Sequence, residues 1–458
     1  MNSNKLSSLL ETLNPNERKL LIFYTEDQKD LSRIVQHLIH NAYTNSKDLY
    51  KAIFKSKTYD DKRLRNALYT LNKYVERIIA LRYFEEDPSI NNYILMKHCS
   101  QYNLSKEYNG YLQKLKQQTD IPESSNLLFC YLSQKIHLEY LEEKKRQFIQ
   151  EELIKKDQLL DAYYFKEKLW NLFEIDIYKN IYQFEYTPNL SAYIQSIDIS
   201  SFHFAKSSLQ FLKLLLLMME EFENDNHFQK AVRLLEETYE NIPAKDLRPY
   251  YIAVINYAIK KFNTGKKEYL KELFRIYTLQ IKHKVLLNEK NYLEPYAYKN
   301  ITTIALQNKE FVWVKTFLEE YSNFLPKEEK ENAYQYNLAN YYYFTGSYKQ
   351  CLRLLQTVQF SDVYYNLDAR SMLLKIYFEE KEWNLLHDHC FAFKAFVLRQ
   401  EGISEQHKTG YLNLIKWTNK LSNAVFDTRK RKLIAEKISG QKKISELKWL
   451  TEQIEKLS

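Results

Sequence analysis

Residues 336–355 read YNLANYYYFTGSYKQCLRLL, and the spacing inside this stretch decides the fold. Leu338 and Tyr342 stand one helical turn apart and share a face. Gly346 follows, where a chain reversal calls for a permissive backbone. Tyr348 then opens a second segment, and Cys351 places a small side chain along it. Counted from Leu338, the marks fall at offsets of 0, 4, 8, 10 and 13. The same offsets recur from Met218 (Phe222, Asn226, Phe228, Ala231), from Ile301 (Ala305, Lys309, Phe311, Val314) and from Leu373 (Tyr377, Lys381, Trp383, Leu386). An aromatic ring holds offset 10 in every unit. An irregular unit surrounds Tyr257, Ala258 and Gly265, and the anchors Ile301, Leu338 and Leu373 lie 37 and 35 residues apart.

This pattern resembles the tetratricopeptide repeat, whose period is about 34 residues. The resemblance runs from Phe202 to Leu398 and is degenerate: Lys309 and Lys381 stand where that family has a turn glycine, and Val314 and Leu386 exceed its usual alanine. It implies an all-α chain whose helical hairpins stack into a right-handed α-solenoid, because one hairpin cannot bury its own apolar face. It also implies a concave groove, lined in that family by first-helix residues at offsets of about −2, +2 and +5 from the anchor. Carried over here, these are Lys299 and Thr303, then Tyr336, Asn340 and Tyr343, then Ser371 and Lys375. Two rings, an amide and two ammonium groups suit an extended peptide with one acidic and one apolar feature. The family's carboxylate clamp pairs a Lys before the anchor with an Asn after it. Here Lys299 is matched by Thr303 and Asn340 by Tyr336, so no clamp is expected.

Composition agrees with helices. Only 6 Gly and 8 Pro occur in 458 residues, about 3% together, where roughly 12% is ordinary. Sheets need many tight turns, and tight turns need those residues. Hydrophobic residues at 45% and aromatics at 15% exclude a disordered chain. The longest apolar block, Leu214–Met219, is far shorter than a bilayer span. Residues 1–20 carry Lys5, Glu11, Glu17, Arg18 and Lys19 without the apolar centre of a signal peptide, so a cytoplasmic chain without membrane contact is expected. Four scattered cysteines suit reduced, buried thiols.

Three regions are expected. Residues 1–121 form a helical block, in which Leu64, Leu68, Leu71, Val75 and Ile78 stripe a helix from about Asp60 to Phe84 before Pro88. Residues 122–425, opened by a break at Pro122, hold the repeats, clearest over 202–398. Residues 426–458 carry the basic run TRKRKLIAEK (Thr428–Lys437) and the amphipathic ISELKWLTEQIEKL, a cap for an open solenoid end or a docking helix.

The common catalytic and cofactor signatures are missing from the sequence. The nearest glycines, Gly402 and Gly410, are eight apart, too far to cradle a phosphate, and HExxH, GxSxG and CxxC do not occur. In His387-Asp388-His389-Cys390, residues two apart point to opposite sides of a helix, so one metal ion cannot collect both imidazoles. No cofactor and no metal are expected. A nucleic-acid reading starts from 46–76, a short helix, a loop at Ser56–Asp60 and a second helix bearing Lys62, Arg63, Arg65, Lys73 and Arg77. That outline resembles a winged helix-turn-helix, though ALRYFEEDPSINNY, following Ile79, lacks a wing. The expected function is a non-catalytic scaffold that binds a protein or peptide. The alternative is a regulator whose first block binds nucleic acid.

Overall fold

In the computed structural model the described residues form twenty-three α-helices and two short 3-10 turns, are 81% helical and include no strand. These are all residues except 1–2, 41–44, 55–57, 120–122, 124–125, 145–149, 183–184, 187–188, 358–362, 402, 442 and 458. The expected loop start at Ser56, the break at Pro122 and Gly402 lie outside them. No helix among the described residues is long and apolar enough to cross a membrane. The helices gather into two compact units, Met1–Leu216 and Leu217–Ser458. Their division falls within the helix Lys206–Glu220. Residues 121 and 122, where the sequence marks its first boundary, are not among the described ones.

In the first unit the striped helix spans Asp61–Glu86. Asp60 caps it by accepting the Arg63 backbone N–H at 3.0 Å, filling one of the donors left open at a helix start. Leu64, Leu71, Val75 and Ile78 are buried against the helices Ser3–Glu11, Pro15–Thr25 and Lys29–His40. Arg82, near its end, donates to Glu17 at 2.5 Å and holds that carboxyl below its ordinary range. Farther along, Tyr108 stacks on Tyr140 at 4.0 Å and shares a hydrogen bond with His137 at 3.2 Å.

In the second unit each helix packs on the next in sequence from Asp225 onward. Alternate helices also touch: Pro295–Gln307 meets Lys327–Phe344, which meets Val363–Glu379, which meets Glu405–Ser422. The reversal inside three of these pairs follows one local rule. Gly346, Lys309 and Lys381, all at offset 8, take left-handed φ values of 73°, 65° and 61°. The next residue's N–H returns to the carbonyl at offset 4: Ser347 to Tyr342 at 2.8 Å, Glu310 to Ala305 at 3.0 Å and Glu382 to Tyr377 at 2.9 Å. This closes the first helix by satisfying a carbonyl that has no partner within it. Nothing lies within 4 Å of a β-carbon built on Gly346, so its cost there is purely one of backbone. Gly346→Ala is therefore expected to cost about 1 kcal/mol, and Lys381→Gly to gain up to about 1 kcal/mol, in urea unfolding. A neutral Gly346→Ala would mean that the turn is not left-handed.

The offset-10 rings of Phe311, Tyr348 and Trp383 are the first residues of their second helices and are half-buried. Offset 13 is the tighter position: Val314, Cys351 and Leu386 are fully buried, and burial pushes the Cys351 thiol up to about 12. The unit anchored at Met218 departs from the rule. Its chain turns earlier, so Asn226 sits in the first turn of the helix Asp225–Thr238 instead of at the reversal, and Phe228 is wholly buried. In the irregular unit Gly265 reverses the chain at φ 102°. A longer loop follows, so that Tyr269 takes the ring position, 5.1 Å from Phe228. At the far end, residues 426–458 share one apolar core with 367–424 through Ile434, Ile438, Trp449, Leu450 and Ile454.

Candidate functional site

The positions expected to line a groove lie on three helices, Pro295–Gln307, Lys327–Phe344 and Val363–Glu379, each the first of its pair. Lys299, Thr303 and Tyr343 keep part of their surface in solvent, whereas Tyr336, Asn340, Ser371 and Lys375 are covered by the chain. Four of the seven thus do not face open solvent: Tyr336 packs against Tyr365 of the next first helix, and Lys375 against Glu446 of the C-terminal segment.

Two clusters form here. Lys299 is ion-paired with Asp368 and stands 5.5 Å from the Tyr336 ring centre and 5.2 Å from that of Tyr365. The Tyr411 hydroxyl donates to the other Asp368 oxygen at 2.8 Å, and the Tyr365 hydroxyl to the Pro295 carbonyl at 3.1 Å. In the second cluster, Lys375 sits 4.7 Å over the Tyr343 ring and pairs with Glu446 at 3.1 Å. Glu379 accepts from the hydroxyls of Tyr343, at 2.8 Å, and Tyr348, and from the Trp449 indole N–H at 2.6 Å. Burial, reinforced by Asp368, Glu446 and two phenols, pushes the Tyr336 hydroxyl well above its ordinary value. Burial and then Glu379 do the same to Tyr343. Both phenols are thereby held in their neutral form. Ser371 turns inward, donating to the Leu367 carbonyl at 2.9 Å.

The C-terminal segment enters this face at Gly410. The Ser445 N–H donates to the Gly410 carbonyl at 3.1 Å, and a β-carbon on Gly410 would come within 2.7 Å of the Ser445 hydroxyl. Asn413 and Trp417 hold the same segment through Lys443 and Gln441. The face therefore already receives a carboxylate, from Glu446, and an indole, from Trp449.

Asp368, Tyr365, Glu379, Tyr411, Glu446 and Trp449 are the members that reading by offsets missed. Part of the signal was available: Asp368, Ser371, Lys375 and Glu379 follow steps of three and four, one face of one helix. Extending the step from Ser371 and Lys375 in both directions finds the two acids.

The remaining sequence candidates lie elsewhere. His387 meets the Ser422 hydroxyl at 3.3 Å, His389 meets the Arg370 carbonyl at 2.8 Å, and Cys390 is buried. No group of three metal-ligating side chains occurs among the described residues. Of the five basic residues expected to contact nucleic acid from Asp61–Glu86, Arg63 pairs with Asp30 at 2.5 Å, Arg65 with Asp61 at 2.7 Å and Lys73 with Glu76 at 3.3 Å. Lys62 and Arg77 are exposed, with no carboxylate partner among the described residues. Comparison with known protein families, with curated proteins and with solved structures returns no match to this chain.

Proposed function

We propose that this chain is a non-catalytic scaffold, a tetratricopeptide-like right-handed α-solenoid that binds a partner protein or peptide along the face formed by its first helices. The observation that carries this reading is the convergence of Lys299, Tyr343, Tyr365, Asp368, Lys375 and Glu379 from successive first helices onto one half-covered surface, with the chain's own Glu446 and Trp449 seated there. A partner segment with an acid and a ring three residues apart fits the same contacts. Four free, buried cysteines favour a reducing compartment such as the cytoplasm.

A photo-crosslinking residue placed at Thr303, on the face, is expected to capture the same partner repeatedly in the native cell. One placed at Val312, which is 85% exposed on a second helix, is expected to capture none. Thr303→Arg should then weaken that partner at least tenfold, about 1.4 kcal/mol, with an unchanged thermal midpoint. Unaltered affinity in the folded variant, or capture from Val312 alone, would place the binding surface elsewhere.

A further inference from the structure

A cavity of about 870 Å³ opens in the second unit, between the first turn of the helix Ala244–Asn263, the loop after Lys282, and Tyr321 with Phe324. Its volume falls in the range of small-ligand sites, about 300–1,000 Å³.

The loop that walls it is held at each step. Lys284 takes a left-handed φ of 57° and donates to the Ile281 carbonyl at 3.1 Å, while the Val285 N–H returns to Gln280 at 3.0 Å. The Asn288 side-chain oxygen accepts from the backbone N–H groups of Lys290 and Tyr292, both at 3.0 Å, and its amide donates to Glu294 at 2.9 Å. The Leu293 N–H reaches the Phe324 carbonyl at 2.8 Å. The wall is thus preformed, which lowers the ordering cost of binding.

The lining has two characters. Leu287, Tyr321 and Phe324 contribute apolar surface. Lys245, Arg248, Lys284 and Lys290 contribute four positive charges against the single carboxylate of Glu289. The Arg248 Nε–H is shielded from solvent and meets no acceptor among the described residues. No carboxylate among the described residues pairs with this guanidinium, so it is an uncompensated positive charge at the cavity wall, which an anion in the cavity would offset. The helix Ala244–Asn263, whose first turn lines the same space, receives no side-chain cap from Pro243.

We propose that this cavity binds an amphiphilic anion, its apolar part against Leu287, Tyr321 and Phe324 and its phosphate or carboxylate on Arg248, with the three lysines adding charge at the rim. A neutral amphiphile would leave the Arg248 charge uncompensated, and a bare anion would leave the apolar wall wet. Both parts are needed together. This site is independent of the partner-binding face.

Calorimetric titration of the full chain with octyl phosphate, octanoate, octanol and inorganic phosphate tests this. At least one of the two amphiphilic anions is expected to bind with Kd below about 100 µM, tenfold or more tighter than octanol or inorganic phosphate. The tighter of the two identifies the headgroup. Arg248→Gln should reduce that affinity at least tenfold. Lys284→Glu with Lys290→Glu, both at exposed positions, should reduce it as well and carries the test should Arg248→Gln not fold. Equal binding of octanol, no binding by either anion, or unchanged affinity in a folded variant would overturn the proposal.

Discussion

Phe228→Ala is expected to destabilise the second unit by about 3–5 kcal/mol, read from the midpoint and slope of urea unfolding followed by helix signal. Phe228 is fully buried. Its ring stacks on Tyr257 at 5.5 Å and meets Tyr269 at 5.1 Å. Neither neighbour is free to fall into the space that alanine would leave. The Tyr257 hydroxyl is tied to the Phe222 carbonyl at 2.9 Å, and that of Tyr269 to Asp225 at 2.8 Å. A cavity that cannot collapse puts the cost toward the upper end, since the lost contacts add to the lost burial. Phe426, 97% exposed, supplies the control, and its replacement by Ala should change stability by less than about 0.5 kcal/mol. Half-buried Phe311 and Trp383 should fall between the two. A loss under about 1 kcal/mol at Phe228 would show that the ring does not bind these helices together.

The second large effect concerns a charge placed beside that ring cluster. The Lys261 ammonium is fully buried, 2.8 Å from an Asp225 oxygen, and lies 4.3 Å above the Phe222 ring. The contact is close enough for an ion pair but is not aligned as a hydrogen bond. Lys266 and Tyr269 also meet Asp225, at 3.1 and 2.8 Å. Burial raises the Asp225 carboxyl, but Lys261, Tyr269 and Lys266 outweigh it and hold it below its ordinary value. That contribution is present above about pH 4 and is lost as pH falls through the lowered folded value. Asp225→Asn keeps the shape and removes the nearer charge, leaving the buried ammonium only the exposed Glu223 carboxylate at 3.7 Å. Breaking a fully buried pair this way costs about 3–5 kcal/mol. With 39% of the Asp225 side chain exposed, about 2–3 kcal/mol is expected, because solvent already screens part of the attraction. Lys261→Met removes the ion that needs compensation and leaves Asp225 with Lys266 and solvent. It should lie within about 1 kcal/mol of the parent chain. If Lys261→Met were as damaging as Asp225→Asn, the pair would be stabilising in its own right and this reading would fail.

What the sequence determined by itself was local. Scarcity of Gly and Pro, with apolar residues at three- and four-residue steps, is enough to specify helices, because helix formation depends on neighbours within one turn. The reversal at offset 8 was legible for the same reason. Leu306, Lys309 and Glu310, or Phe378, Lys381 and Glu382, close their own helices with backbone bonds spanning three to five residues. Even there, the Met218 unit escaped, since its chain turns at 221–224 without a residue of positive φ to mark the place. Only the tertiary structure decided which of the seven expected binding positions stay open. Lys299 meets Asp368 across 69 residues, Trp449 meets Glu379 across 70 and Lys375 meets Glu446 across 71. No periodicity within one helix can encode such meetings, because they depend on how successive pairs stack and where the last segment folds back. The same holds for Lys261: its burial comes from Phe222, Tyr257 and Asp225 arriving from other turns and another helix, so an ordinary lysine in the sequence becomes a desolvated charge only when the helices pack.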